Sequence, residues 1–273
     1  MRFTRIASVL SALALAGAAA LTGASSAQAA VAPVGPAAGT GYVALGDSYS
    51  SGLGAGSYDS GSGDCKRSTK AYPVLWKNAH APASFDFVAC SGAVTGDVLA
   101  NQLGPLNANT GTVSITIGGN DAGFSDVMTT CILQSESTCV ARVNEAKAFA
   151  NNQLPGKLDQ VYSAITGRAP SAHVVVLGYP RFYKLGGGCL AGLTETERAA
   201  INSGADVLNS VVAKRAADHG FTYADVTGNF SGHEICSSAP WLHSVNWTNI
   251  GESYHPTAAG QSGGYLPALN SAT

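Results

Sequence analysis

Five short β-rich runs separated by longer stretches, two of them helical in pattern, predict an α/β fold: a five-stranded parallel sheet with helices on both faces, a three-layer αβα sandwich. The runs at residues 42–45, 85–89, 113–117, 173–177 and 221–224 recur at intervals too long for hairpins. Strands joined through such segments lie parallel, with right-handed crossovers. No internal repeat or linker interrupts the chain after Thr40, so residues 41–273 read as one domain.

The elements follow in order. Arg2 and Arg5 precede an apolar run over 6–21, and Ala27-Gln28-Ala29 follows as a small-x-small cleavage site. That layout predicts a secretory signal peptide over 1–29 and a secreted protein. Residues 30–40, rich in Ala, Pro and Gly, read as a flexible leader or propiece. The first strand runs into Gly46-Asp47-Ser48-Tyr49-Ser50, the second into Cys90-Ser91-Gly92-Ala93, and the third into Gly118-Gly119-Asn120-Asp121. A helical stretch then covers 138–168, with Pro155 breaking it. The fourth strand leads into Gly178-Tyr179-Pro180. The next helix opens at Thr194, with Glu197 three residues on as a capping box, and closes at His219-Gly220. After the fifth strand a long segment returns over the sheet, and a short final helix starts near Pro256 and Thr257. In such sheets ligands collect at the carboxyl ends of the strands, so the residues just after each strand are the candidate site.

The chain is 273 residues long, 45% hydrophobic and 12% charged, enough to bury a large core. Without Arg2 and Arg5, 13 of the 15 basic residues remain against 17 acidic ones, a net charge of about −4. A weakly acidic surface lacks the basic footprint that nucleic-acid binding needs. All six cysteines, Cys65, Cys90, Cys131, Cys139, Cys189 and Cys236, follow the leader, and an even count in an exported chain predicts three disulfides. Fifteen connectivities are open; pairing sequence neighbours is the simplest. No CxxC or HExxH spacing points to a metal site, and none is expected.

Gly46-Asp47-Ser48 has two readings: an ordinary N-cap turn, or a nucleophile held after a strand. A serine hydroxyl attacks only with a base beside it, so the histidines decide. His80, His173 and His219 have sufficient structural explanations. His233, His243 and His255 lie on the returning segment, and His255, set before Pro256, is the best positioned of them. Acyl transfer also needs donors for a developing oxyanion, which the Asn120 amide and the unhindered Gly92 N–H supply.

Taken together, "YVALGDSYSSG", "ACSGAVT", "VSITIGGNDAGF", "VVVLGYPR" and "ESYHPT" resemble the ordered blocks of the GDSL, or SGNH, hydrolase family. The similarity spans residues 41 to about 269 and is greatest to secreted lipases and phospholipases A1 of streptomycetes. The resemblance implies a flavodoxin-like SGNH hydrolase fold and cleavage of lipid acyl esters. Ser48 is then the nucleophile and His255 the general base and acid, with the Ser48 amide, Gly92 amide and Asn120 side chain as oxyanion hole. The family usually has Asp three residues before the histidine, where this chain has Glu252. Either Glu252 or, the favoured reading, the main-chain carbonyl of Ser253 orients the imidazole. A G-x-S-x-G elbow is absent around every serine. Gly52-Leu53-Gly54-Ala55-Gly56 lacks dinucleotide-binding spacing and reads as a flexible loop beside the nucleophile.

No cofactor, nucleic acid or transmembrane partner is expected, and a monomer acting on lipid or other small esters is. Leu53, Tyr58, Tyr179, Phe182, Tyr183 and Leu185 fall near the expected rim and predict an apolar acyl groove. A carbohydrate acetylesterase is the alternative enzyme, and a non-catalytic secreted binding protein the alternative from another class.

Overall fold

A computed structural model describes residues 40–186, 189 and 192–273; the signal peptide over 1–29 and all but the last residue of the 30–40 leader lie outside the described residues. Its five strands are β1 (Gly41–Gly46), β2 (Ser84–Phe87), β3 (Thr110–Thr116), β4 (His173–Leu177) and β5 (Thr222–Ala224). They form one parallel sheet in the order β2-β1-β3-β4-β5. All four registers are parallel, from Gly41 opposite Ser84 to Leu177 opposite Ala224. The order reverses direction at β1/β3, and that switch point opens a crevice at the carboxyl ends of these two strands.

Handedness distributes the helices. The crossover from β1 to β2 moves one way along the sheet and every later crossover moves the other way, so right-handed connections place their helices on opposite faces. On one side α2 (Tyr72–His80) packs with α8 (Leu266–Ala272); on the other, α5 (Glu136–Asn152), α6 (Leu154–Arg168) and α7 (Glu195–Asp218) pack together. Between two such layers Val174, Val175, Val176 and Leu177 are all buried, as a parallel strand covered on both faces requires.

Local chemistry explains the boundaries. Thr194 caps α7, its hydroxyl accepting from the Glu197 amide while the Glu197 carboxylate accepts from Thr194 N. Pro155 sits in the first turn of α6, separating it from α5 at Gln153. The second run ends at Phe87 rather than Ala89, because Val88 N and Ala89 N both donate to Ala44 O and the chain turns there. Three disulfides join Cys65 to Cys90, Cys131 to Cys139 and Cys189 to Cys236.

The glycine-rich segment after Ser51 is not a loose loop. Ser51, Gly52, Leu53, Gly54 and Ala55 are buried, and Gly54, at φ +91°, packs against the returning segment. A glycine here provides close approach rather than mobility.

Candidate active site

The site grows from the end of β1. Asp47 caps α1 (Ser48–Ser51), its Oδ1 accepting from Tyr49 N at 3.0 Å, so Ser48 is the first residue of that turn. The N-cap reading of Gly46-Asp47-Ser48 thus holds, and the cap sets Ser48 at the start of the turn. Asp47 is 1% exposed and ties three rim segments together: Thr116 Oγ1, at the end of β3, donates to Oδ1 at 2.7 Å, and Tyr179 OH, after β4, donates to Oδ2 at 2.5 Å. Burial pushes its carboxyl up to about 6, against the pull of these donors.

His255 arrives from the opposite end of the chain. Its backbone N–H and C=O are pinned by Glu252 O and His243 N, and the chain beside it bridges Leu242 to Pro256. Tyr254, immediately before it, holds φ +67°, a left-handed conformation costly for a tyrosine. Tyr49 OH, donating to Tyr254 O at 2.8 Å, holds that turn against the helix carrying Ser48. The result places His255 Nε2 2.7 Å from Ser48 Oγ.

The other ring nitrogen fixes the roles. His255 Nδ1 lies 2.9 Å from Ser253 O, and a carbonyl only accepts, so Nδ1 carries the proton and Nε2 is left to accept from the Ser48 hydroxyl. Burial, more than any other influence, pulls the imidazole down to about 4; the Ser253 carbonyl opposes this and His243 adds to it. At neutral pH the ring is therefore uncharged and able to take a proton.

Glu252 does not reach the imidazole. Its Oε1 accepts from Tyr58 OH at 2.7 Å, and Tyr58 OH in turn accepts from Gly54 N at 2.9 Å. Burial and the neighbouring carboxylate push the Tyr58 phenol up to about 12. His243 Nε2 donates to Gly54 O at 2.8 Å, so both backbone groups of Gly54 are held where it packs on His255. His233 stacks on Trp241 and bonds Ala239 O instead.

Asn120 lines the same cavity as Ser48, with its Nδ2 donating to Ala93 O at 3.0 Å, which leaves the second amide hydrogen for a ligand. Gly92, at φ +80°, turns the chain beside Ala93, just ahead of the short α3 (Thr95–Asp97), in a conformation only glycine adopts freely. Its N–H and that of Ser48 have no acceptor among the described residues.

Beyond Ser48 and Asn120 extends an apolar cavity. Of the six apolar residues expected at the rim, only Tyr179 and Phe182 line it. Leu53 and Tyr183 are packed beneath the loops, Tyr58 is held by Glu252 and Gly54, and Leu185 faces solvent. The walls come instead from Phe124, Val127 and Met128 of α4 (Phe124–Leu133), Val143 and Ala150 of α5, and Ile201 and Leu208 of α7. The sequence reading missed α4 because it opens at Gly123 with no capping side chain. The apolar spacing of Phe124, Val127, Met128 and Cys131 was the available signal.

Comparison with known proteins agrees with this geometry. The model of the GDSL-like Lipase/Acylhydrolase family matches residues 44–262. The chain is 68% identical to Lipase 1 of Streptomyces coelicolor over 272 residues and 64% identical to a lipase of Streptomyces rimosus over 273, covering 100% of each partner in both cases. Among solved structures it is similar to phospholipase A1 from Streptomyces albidoflavus NA297, at 72% identity and a TM-score of 0.85, with 86% of this chain and 100% of that chain covered. An extracellular lipase from Streptomyces rimosus follows at 67% identity and 0.84, over the same shares. From β1 to the turn after His255, the chain belongs to the GDSL-like lipase/acylhydrolase family.

Proposed function

We propose that the protein hydrolyses carboxylic acyl esters of lipids, with phospholipase A1 activity among them, through an acyl-enzyme on Ser48. The observation that carries this is the 2.7 Å contact between Ser48 Oγ and His255 Nε2 at the mouth of an apolar cavity. In the reaction His255 Nε2 takes the hydroxyl proton as Oγ bonds to the ester carbonyl carbon. The carbonyl oxygen becomes an oxyanion, stabilised by the Ser48 and Gly92 N–H groups and the free Asn120 amide hydrogen. Collapse expels the alcohol, which takes the proton from His255, and water repeats the sequence to release the acid. The Ser253 carbonyl holds the tautomer that this requires.

The cavity supports long acyl chains, each buried methylene contributing about 0.8 kcal/mol. The relatives' names, lipase and phospholipase A1, support the same substrate class. Among the described residues no helix is long and apolar enough to cross a membrane. The signal-peptide layout of residues 1–29, the leader over 30–40 and a relative named as extracellular support a secreted protein with a single catalytic domain over 41–273, and we take it to act as a monomer. Esters of increasing acyl length test the reading. The rate per Ser48 should rise from acetyl to medium and long chains; a maximum at acetyl would favour a carbohydrate acetylesterase and overturn the lipid assignment.

A further inference from the structure

A second cavity lies beside the turn that carries Gly92 and is lined by Cys65, Arg67, Ser91, Gly92, Asp97 and Gln102 among others. The turn separates it from the acyl cavity: Gly92 and Ala93 line the second cavity, while Ala93 O accepts from Asn120, which lines the first. The wall is tied on both sides. Cys90 N donates to Gly46 O at 2.9 Å, and the Cys65–Cys90 disulfide joins this wall to the segment bearing Arg67.

This cavity carries side chains of both charges. Arg142, Arg181, Arg198 and Arg215 pair with carboxylates, whereas Arg168 donates to Leu103 O at 3.2 Å. The half-buried Arg67 makes only a 3.4 Å contact from Nη1 to Ala89 O, and no carboxylate lies within ion-pair distance among the described residues. A guanidinium has five N–H donors in a planar fork suited to phosphate oxygens. The solvent-exposed Asp97 lines the same cavity, its Oδ2 accepting only from Val94 N at 3.0 Å, with no cation paired to it among the described residues. One unpaired cation and one unpaired anion thus line a single chamber, next to the turn at which a substrate ester would react.

We propose that this second cavity binds the zwitterionic headgroup of a glycerophospholipid, the phosphodiester against Arg67 and the ammonium of phosphocholine or phosphoethanolamine against Asp97. The inference rests on the ester-hydrolase reading above and adds where the headgroup is held: the scissile carbonyl sits at the Gly92 turn, the acyl chain enters the apolar cavity, and the headgroup turns to the opposite side. Arg67 and Asp97 are then specificity residues. A fixed charge of each sign also favours the zwitterion over a lipid with phosphate alone.

The test compares substrates sharing their acyl chains in the same detergent micelles: phosphatidylcholine, phosphatidylglycerol and diacylglycerol. The readout is the ratio of kcat/KM values, which cancels any general loss of activity. Arg67→Gln should lower the phosphatidylcholine-to-diacylglycerol ratio about tenfold, the order expected for one lost charge-assisted contact. Asp97→Asn, which can still accept from Val94 N, should lower the phosphatidylcholine-to-phosphatidylglycerol ratio severalfold. An unchanged ratio in either variant overturns the proposal; if Arg67→Gln does not fold, the Asp97→Asn ratio decides alone. Wild-type protein that cleaves none of the three lipids contradicts the ester-hydrolase reading itself, whereas wild-type cleavage with unmoved ratios contradicts only the headgroup assignment.

Discussion

Gly54→Ala probes how the Ser48–His255 pair is held without replacing either member. A Cβ at Gly54 would stand 2.8 Å from Pro256 O, 3.0 Å from His255 Cβ and 3.2 Å from His243 Cδ2. Two of the three neighbours belong to the returning segment that carries the imidazole, and ordinary contact requires the backbones to part by about half an ångström. At φ +91° the new side chain also sits in a left-handed conformation, costing about 1–2 kcal/mol. The native contact between His255 Nε2 and Ser48 Oγ is 2.7 Å, so a displacement of that size stretches it to about 3.2 Å, the far edge of hydrogen-bond range. Misplacement on the ångström scale costs about 100-fold in rate, equivalent to roughly 2.7 kcal/mol of barrier. The assay is steady-state hydrolysis of a short-chain ester, with active sites counted by a phosphonate inhibitor and folding followed by circular dichroism. The variant should fold, melt a few degrees lower, and show kcat reduced about a hundredfold with KM little changed, since Gly54 does not line the acyl cavity. A folded variant with wild-type kcat would refute the idea that this contact positions His255.

Further consequences are open to the same assays. Glu252→Gln should retain activity within severalfold, because Gln can still accept from Tyr58 and the carboxylate does not contact the imidazole; a loss as complete as that of Ser48→Ala would restore Glu252 as the orienting group. The acid limb of kcat/KM should fall near pH 4 rather than near 6.5, because neutral His255 is the active base and burial holds its conjugate acid at about 4; activity is present above that value and lost below it. A limb centred at 6.5 would mean that the imidazole is solvated in the working enzyme. Asn120→Ala should lower kcat about 100-fold with little change in KM, as expected for a donor used only by the oxyanion; an effect confined to KM would assign Asn120 to substrate binding instead.

Much of this architecture was legible in the chain because its signals are local. β4 was expected over 173–177 and occupies those residues, since Val174 to Leu177 form an uninterrupted apolar run bounded by polar residues. The Thr194 and Glu197 pair marked the start of α7 because a capping box is written within four residues. The helix α2 was not legible, because Pro73 in its first turn and Ala71 as its cap carry no capping side chain. At the site, small and polar residues after successive strands pointed to the rim. The partnership of Glu252 with Tyr58, 194 positions away, has no sequence signal, and neither has the assembly of the acyl cavity from three helices. The glycine-rich segment misled for a related reason: glycine marks both flexible chain and close packing, and only the neighbours of Gly54 distinguish them.

The most direct measurement is covalent labelling by an organophosphonate at neutral pH, read by intact mass and peptide mapping. The account predicts one adduct per chain, located on Ser48, formed at a rate that drops by orders of magnitude in His255→Ala and not at all in Ser48→Ala. Labelling at another residue, or equal labelling without the His255 imidazole, would contradict it.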